Sequence, residues 1–215
     1  MNGALRHPGP PPSSSPDAPI VAFDFDGTLT CRDSFIAFLA WRRGRAQFIV
    51  GGLQLVPALA SYAVTRDRDA LGIATAKHFL GGLERGVIER EARDFHDSQF
   101  DQLMRPTALV CWRDWRQRGA RLYIVTAAPE ILVAPFAQTL GADGLIGSRL
   151  AFDERDRFTG QRGGPHCRGP EKVARLRAQL GDGIRLAAAY GDTSGDREML
   201  DFAETPGYRV FGDRP

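Results

Sequence analysis

Cysteine is scarce in this sequence, with Cys31, Cys111 and Cys167 the three examples among 215 residues. An odd number of cysteines without metal-type spacing does not form a disulfide framework or a zinc site, and it suits a reducing compartment. We therefore expect a cytoplasmic protein.

Net charge is also almost absent, because 28 lysines and arginines oppose 26 aspartates and glutamates. Without a global positive field there is no basis for predicting a nucleic-acid partner. No internal repeat is visible. The length and the 43% hydrophobic content are enough for one good core and a smaller accessory domain, which is the size of an enzyme.

Hydrophobic runs are missing from residues 1–19, which are rich in Pro, Ser and Gly and lack the apolar core of a secretory signal. We expect a disordered tail there. The segment Phe48–Val64 is apolar, but it is about the minimum length of a membrane span, contains Gln54 and Pro57, and has arginines on both flanks. A buried amphipathic helix pair is the favoured interpretation, and contact with a membrane surface is the alternative.

Elsewhere, short β-rich apolar runs alternate with helical patterns. The predicted strands are 20–26, 121–127, 143–152, 185–192 and 208–211, and the predicted helices are about 106–118, 129–140, 169–180 and 194–203. This alternation is typical of an α/β fold with a parallel sheet. From about 31 to 105 the apolar residues recur at helical spacing, which predicts an all-helical insertion after the first strand.

Polar residues occupy the carboxyl ends of the predicted strands, where open α/β sheets bind ligands. They are Asp24, Asp26, Thr126 and Asp192, with Asp196 one loop later and Lys172 near the start of the preceding helix. Crowded carboxylates repel by about 4 kcal/mol per pair at 4 Å unless a cation lies between them. Oxygen ligands of this kind suit Mg²⁺ together with a substrate phosphate.

A phosphate ester would give each of these residues a task. Asp24 can attack phosphorus to form an aspartyl-phosphate, while Asp26 can protonate the leaving oxygen and then deprotonate water. Thr126 and Lys172 would bind the phosphoryl oxygens, and Gly27 would let the backbone turn sharply beneath them.

Two neighbouring residues leave alternatives open. Arg168 competes with Lys172 for the phosphate, because either could reach it from the start of the helix. His166, beside Cys167, is expected to be an ordinary loop residue rather than a metal ligand.

Four ordered motifs, DFDGT, VTAAPE, GPEKVARL and GDTSGDREML, resemble those of the haloacid dehalogenase (HAD) superfamily of phosphatases over about residues 20–212. An insertion directly after the first motif resembles subfamily IB, which includes phosphoserine phosphatases and phosphatidylglycerophosphatase C. The resemblance implies a three-layer, Rossmann-type α/β fold with a parallel sheet. Its catalytic core would comprise 20–30 and 106–215, and an all-helical cap would comprise 31–105.

The resemblance also implies a Mg²⁺-dependent phosphomonoester hydrolase with an aspartyl-phosphate intermediate. Asp24 would be the nucleophile and Asp26 the acid/base. The metal would be held by the carboxylates of Asp24 and Asp192 and the carbonyl of Asp26, with Asp196 supporting it directly or through water. Asp33 stands where phosphoserine phosphatases have a substrate-binding Glu, which is a departure from their pattern.

The expected substrate is a small-molecule or lipid phosphate ester. Local matches around D-x-D-G-T-L-x-x-x-D and G-x-E-K-V-A-x-L resemble the lipid phosphatase, so phosphatidylglycerophosphate is a candidate, with the apolar 48–64 face in contact with the lipid or the membrane surface. A soluble metabolite phosphatase, a phosphotransferase and a non-catalytic membrane-surface binding protein are the alternatives.

Overall fold

The computed structural model of the chain describes residues 18–65 and 67–215. The predicted disordered tail therefore lies outside the described residues, except for residues 18 and 19. Within the described part, the strands are β1 (Ile20–Phe23), β2 (Arg121–Pro129), β3 (Gly144–Ser148), β4 (Leu150–Phe152), β5 (Phe158–Arg162), β6 (Leu186–Gly191) and β7 (Ala203–Tyr208).

A parallel sheet with strand order β3-β2-β1-β6-β7 forms the centre of the described chain. The central strand β1 is a continuous apolar run in which Val21, Ala22 and Phe23 are fully buried. A strand that is buried on both faces has a continuous apolar sequence, because its alternate residues pack against opposite helical layers. Accordingly, Val21 and Phe23 pack in one hydrophobic cluster and Ala22 packs in a second.

The described α-helices are α1 (Ser34–Arg43), α2 (Arg45–Leu53), α3 (Val56–Thr65), α4 (Arg68–Leu80), α5 (Arg85–Leu103), α6 (Pro106–Gln117), α7 (Glu130–Thr139), α8 (Pro170–Leu180) and α9 (Arg197–Asp201). Helices α6 and α7 contribute to one cluster, and α8 and α9 contribute to the other. The three-layer α/β prediction is confirmed. Five helices, α1 to α5, separate β1 from α6, as predicted for the insertion.

Helices α1 and α5 of the insertion share a core with the sheet layer. Phe95 of α5 lies 5.5 Å from Phe38 of α1 and 6.1 Å from Phe136 of α7, measured between ring centroids. Phe136 in turn meets Phe25 at 5.3 Å. This aromatic cluster packs the base of the insertion against α7 and the turn after β1.

Helices α2 and α3 are not buried, so the favoured prediction for 48–64 is wrong. Their exposed apolar side chains form what we call the α2–α3 surface: Ile49, Val50, Leu53, Val56, Leu59 and Val64. An apolar pattern predicts that a face will avoid water, but it does not say what covers that face. Among the described helices none could cross a bilayer alone, while Ala46–Leu53 and Val56–Thr65, bent by 63°, have the length and composition only as a pair.

Three further predictions need correction. The run 143–152 is split between β3 of the main sheet and β4, which pairs antiparallel with the unpredicted β5. The helix at 194–203 is a 3₁₀ turn, Ser194–Asp196, followed by the short α9. The last strand is β7 rather than 208–211, and it contains Pro206 and Gly207, which weaken a strand pattern.

Candidate active site

Asp24 directly follows β1, which carries it to the carboxyl edge of the sheet. Its backbone N–H donates to the Tyr190 carbonyl of β6 at 2.8 Å, which fixes the turn. The side chain is 7% exposed, and burial raises its pKa from 3.8 to about 7, although Lys172 opposes the rise. The negative charge of Asp24 thus depends on nearby positive charge.

Lys172, in the first turn of α8, supplies such a charge. Its ammonium donates to Asp24 Oδ1 at 2.6 Å, to Asp196 Oδ1 at 2.6 Å and to the Val125 carbonyl at 2.7 Å. These contacts use all three donors of a side chain that is 1% exposed. Burial opposes its charge, but Asp24 and Asp196 raise its pKa overall. Arg168, the sequence alternative, instead donates to Ser194 at 3.1 Å.

Asp196 organises the loop after β6. Its Oδ2 accepts from the Thr193 N–H at 2.8 Å, the Thr193 hydroxyl at 2.9 Å and the Asp192 N–H at 3.2 Å. Burial alone would raise the pKa of Asp196, but Lys172 and the Thr193 hydrogen bonds lower it. Both oxygens of this carboxylate therefore already have partners.

Asp192 contrasts with Asp196. Its Oδ1 is buried and has no hydrogen-bond partner among the described residues, and burial and Asp196 raise its pKa. One carboxylate oxygen from each of Asp24, Asp192 and Asp196 lies within 4.8 Å of the others. A buried carboxylate oxygen without a donor, next to two more carboxylates, fits a hard cation such as Mg²⁺.

Gly27 lets the loop after β1 approach this cluster. Its φ is +80°, and a Cβ at this position would lie 2.2 Å from Asp192 Oδ2. Any side chain at this position would therefore displace Asp192. The sequence predicted only that Gly27 lets the backbone turn beneath the phosphate, and the structure adds this steric requirement.

Asp26 and Asp33 connect the site to the insertion. Asp26 Oδ1 accepts from the Ser34 N–H at 2.8 Å, and burial together with Asp33 raises the pKa of Asp26 well above its usual value. The Asp26 carboxylate is not one of the three clustered carboxylates in the described chain. Asp33 caps α1 by accepting from the Ile36 N–H at 2.8 Å.

Thr126 lies inside β2 rather than at its end and is fully buried. Its hydroxyl accepts from the Ala128 N–H at 3.0 Å, so it shapes the backbone that follows. Ala127, Ala128 and Pro129, rather than Thr126 itself, line the adjacent cavity.

A cavity of about 230 Å³ lies beside this constellation. Its walls come from Asp26 and Asp33, from Ile73 of α4, from Phe158 of the β4–β5 hairpin and from residues ahead of α8. No described residue of 48–64 lines it, so the predicted contact between that face and the leaving group is not made inside the cavity.

The cavity wall also contains Arg162, which sequence reasoning missed, and His166, which was expected to be an ordinary loop residue. Arg168 lines the cavity as well. Burial, Arg162 and Arg168 lower the pKa of His166 to about 4, so it is neutral at pH 7. The sequence feature that could have indicated these residues is the segment RGGPHCRG, from 162 to 169. Its glycines and basic residues are typical of a loop that approaches an anion.

Comparisons with known proteins agree with this architecture. A family model for haloacid dehalogenase-like hydrolase matches residues 21–201. The chain is 50% identical over 196 residues to Protein CicA of Caulobacter vibrioides, covering 91% of this chain and 88% of that protein. It is 31% identical over 190 residues to a phosphoserine phosphatase of Halobacterium salinarum, covering 86% and 83%.

Two solved structures are similar in fold. A Bordetella pertussis Tohama I protein with unknown function has a TM-score of 0.72 at 22% identity, covering 88% of both chains. A phospho-aspartyl intermediate analogue of phosphoserine phosphatase has a TM-score of 0.60 at 20% identity, covering 88% and 85%. The chain therefore belongs to the haloacid dehalogenase-like hydrolases, which confirms both the family resemblance of the four motifs and the predicted class of enzyme.

Proposed function

We propose that the protein is a Mg²⁺-dependent phosphomonoester hydrolase that acts through an aspartyl-phosphate on Asp24. The observation that supports this most directly is the buried Asp24–Lys172–Asp196 arrangement beside the unpartnered oxygen of Asp192. A simple ion pair needs one carboxylate per cation, whereas this site places three carboxylates around the ammonium of Lys172. The excess negative charge is explained if a cation completes the site.

The donor set suits Mg²⁺, which binds to a few carboxylate and carbonyl oxygens and to a substrate phosphate. The Asp24 and Asp192 carboxylates and the Asp26 carbonyl would hold the ion, and Asp196, whose oxygens are occupied, would position Lys172 and the loop. When bound, Mg²⁺ would reduce the repulsion between the anionic nucleophile and the anionic phosphoryl group.

The proposed reaction has two steps. An Asp24 oxygen forms a bond to phosphorus as the ester P–O bond breaks, and Asp26 gives its proton to the leaving oxygen. The raised pKa of Asp26 keeps that proton available. Asp26 then accepts a proton from water, the water oxygen bonds to phosphorus, and the bond to Asp24 breaks to release inorganic phosphate.

Phosphate binding is shared in this proposal. Lys172 already uses three donors, so it would exchange one of them to contact a phosphoryl oxygen, while holding Asp24 in place is its evident task. Thr126 would act indirectly, because its hydroxyl accepts from the Ala128 N–H and so shapes the backbone that lines the cavity. Arg168 also lines the cavity and provides a second positive charge for the phosphate.

Hydrolysis of an aryl phosphate tests this function. Activity should vanish with EDTA and return with Mg²⁺, and Asp24→Asn should abolish it because an amide does not supply the attacking oxygen. Asp182→Asn, in an exposed loop, is the matched control and should keep wild-type activity. If Asp24→Asn kept more than about a hundredth of wild-type kcat, a barrier change under about 2.7 kcal/mol, another nucleophile would be required. Product analysis with an alcohol acceptor separates hydrolysis from phosphotransfer.

We further propose that the leaving group is lipid or otherwise apolar and that the α2–α3 surface lies on an anionic membrane. The surface is strongly exposed, with Ile49 and Leu53 each 67% exposed. No acidic residue occurs between 44 and 65, and Arg43 at the end of α1 is exposed, so the surface would not repel anionic lipid.

The α2–α3 surface is linked to the cavity through α4. Phe48 of α2 stacks on Phe79 of α4 with ring centroids 5.2 Å apart, and α4 also contributes Ile73 and Ala76 to the cavity wall. At about 230 Å³ the cavity is below the roughly 300–1,000 Å³ of drug-sized sites. It would therefore hold a phosphorylated headgroup while acyl chains stay outside.

Vesicle flotation tests this membrane contact. We expect binding to vesicles with anionic lipid, and loss of at least about tenfold in Ile49→Asp with Leu53→Asp, because each buried apolar side chain contributes about 1.5–3 kcal/mol. Val110→Asp on α6, 50% exposed, is the control and should bind normally. Absence of vesicle binding, with a tenfold or greater kcat/KM preference for a small polar ester over lysophosphatidate and phosphatidylglycerophosphate, would contradict the lipid proposal.

Phosphoserine is the second candidate substrate. The chain is 31% identical to a phosphoserine phosphatase, and Asp33 lines the cavity, where it could meet an ammonium group. With phosphoserine added to the same set of esters, an Asp33→Asn variant should lose activity selectively toward phosphoserine if this candidate is right.

A further inference from the structure

Arg162 ends β5 and contributes to the cavity wall. Its side chain is only 15% exposed, and burial lowers its pKa, so the folded chain holds this charge against a desolvation penalty. Its ion-pair partner is Asp69 of α4, whose side chain is 45% exposed. The paired atoms, Asp69 Oδ1 and Arg162 Nη1, are themselves buried and make no hydrogen bond among the described residues. A buried arginine in a cavity wall raises the question of what its charge is for.

Attachment of the hairpin to the insertion does not require Arg162. Backbone hydrogen bonds already join the two, from Phe158 N–H to the Leu83 carbonyl at 2.8 Å and from Gly82 N–H to the Phe158 carbonyl at 2.9 Å. A second, exposed ion pair, Arg157 with Glu84 at 2.8 Å, spans the same junction outside the cavity. Docking alone would therefore not select a buried arginine.

The guanidinium of Arg162 also keeps capacity for a ligand. It carries five N–H donors, and within the described residues its one ion pair, to Asp69, engages Nη1. His166 Nδ1 lies 3.1 Å from the same Asp69 oxygen, but this ring is neutral at pH 7. The positive charge in this part of the wall therefore comes from Arg162 and Arg168.

We propose that Arg162, assisted by Arg168, binds a second anionic group of the substrate, either a carboxylate or a phosphodiester, beside the phosphate ester that reacts at Asp24. This inference rests on the proposed phosphatase function. A planar guanidinium binds either group through two parallel N–H donors. A substrate with a second negative charge would otherwise meet only Asp26 and Asp33 among the charged groups of the cavity, which disfavour it.

The test compares esters that differ in the second group: ethyl phosphate with none, phosphoglycolate with a carboxylate, and deacylated glycerophosphoglycerol phosphate with a phosphodiester. In wild type, kcat/KM should be higher for one of the anion-bearing esters than for ethyl phosphate. In Arg162→Gln this preference should fall by about 10- to 100-fold, as expected for loss of a charge-assisted hydrogen bond, mainly through KM.

Arg157→Gln is the matched control, since it removes an ion pair between the same hairpin and the insertion without changing the cavity. Its substrate preference should stay at the wild-type value. Arg162→Lys keeps the charge but not the two-donor geometry, so its preference should fall between those of wild type and Arg162→Gln, which covers the case in which the glutamine variant does not fold.

The outcomes are separable. If wild type hydrolysed none of the esters, the phosphatase proposal itself would fail. If wild type were active but showed no preference for a second anion, or if Arg162→Gln and Arg162→Lys lowered kcat/KM equally for all three esters, Arg162 would be structural and the inference would be overturned. A preference for the carboxylate indicates a small metabolite, and a preference for the phosphodiester indicates a lipid headgroup.

Discussion

Replacing Asp24 by asparagine is expected to stabilise the metal-free protein above pH 7 while it abolishes turnover. Burial raises the pKa of Asp24 from 3.8 to about 7, even though Lys172 opposes the rise. A carboxyl group whose pKa is higher in the folded state binds its proton more tightly when folded. The contribution of Asp24 to the stability of wild type therefore falls as pH rises from about 4 to about 7, and an amide does not carry this penalty.

The size of the effect follows from the pKa difference. A change from 3.8 to about 7 corresponds to at most about 4 kcal/mol, at 1.36 kcal/mol per unit. The net gain is smaller, because the Lys172 ammonium donates to an ionised Asp24 oxygen at 2.6 Å in wild type. In the variant it would donate to a neutral amide oxygen instead. We expect about 1–2 kcal/mol at pH 8, or roughly 2–8 °C in Tm for a chain of this size.

Urea denaturation in EDTA, at pH 8 and at pH 5, measures the difference. The variant should exceed wild type at pH 8, and the margin should shrink at pH 5, where the folded wild-type carboxyl is largely protonated. Asp182→Asn, in an exposed loop, should not show this pattern. A variant that is less stable than wild type at pH 8, or that differs equally at both pH values, would refute the burial argument.

Three further substitutions probe the same site. Lys172→Met should lower the free energy of unfolding by about 3–5 kcal/mol and abolish phosphatase activity, because it leaves two buried carboxylates without their cation; urea denaturation and the aryl phosphate assay check this. Gly27→Ala should weaken Mg²⁺ binding at least tenfold in a calorimetric titration, because the alanine Cβ would overlap Asp192. Thr193→Ala should cost about 1 kcal/mol in urea denaturation, since it removes the cap that bonds to Gly195 N–H.

The position of the candidate site was accessible from sequence because its strands are strongly apolar. The run before Asp24 and the run before Thr126 are buried on both faces, and such runs are predicted with little ambiguity. Since parallel strands end at one edge, the carboxylates after β1 and β6 had to meet there. Asp24, Asp192, Asp196 and Lys172 are brought together as expected. Thr126 lies inside its strand, and the Asp26 carboxylate bonds to the insertion instead.

Other features depend on contacts that a linear pattern does not encode. The strand β5 has Gly160 at φ +79° and a charged end at Arg162, so it lacks a strand signature and forms only because it pairs with β4. The strand β7 forms at the sheet edge in spite of Pro206. The exposure of the α2–α3 surface likewise depends on tertiary packing, because Phe48 and Leu55 pack against the core while the apolar residues of the surface remain in water. An apolar pattern along the chain does not distinguish these two environments.

In the proposed mechanism the insertion also takes part in catalysis, because the first residue of α1, Ser34, hydrogen-bonds to the proposed acid/base, Asp26. The two ends of the insertion lie side by side, joined by an antiparallel bridge between Thr30 and Met104 and by backbone hydrogen bonds from Cys31 to Leu103 and from Arg105 to Leu29, each 2.8 Å long. The Ser34 N–H, which donates to Asp26 at 2.8 Å, belongs to the insertion side of this junction. Burial and Asp33 raise the pKa of Asp26, and hydrogen bonding from Ser34 opposes that rise because it stabilises the ionised carboxylate. In the proposed mechanism, a residue of the insertion therefore helps to set how readily Asp26 gives its proton to the leaving oxygen.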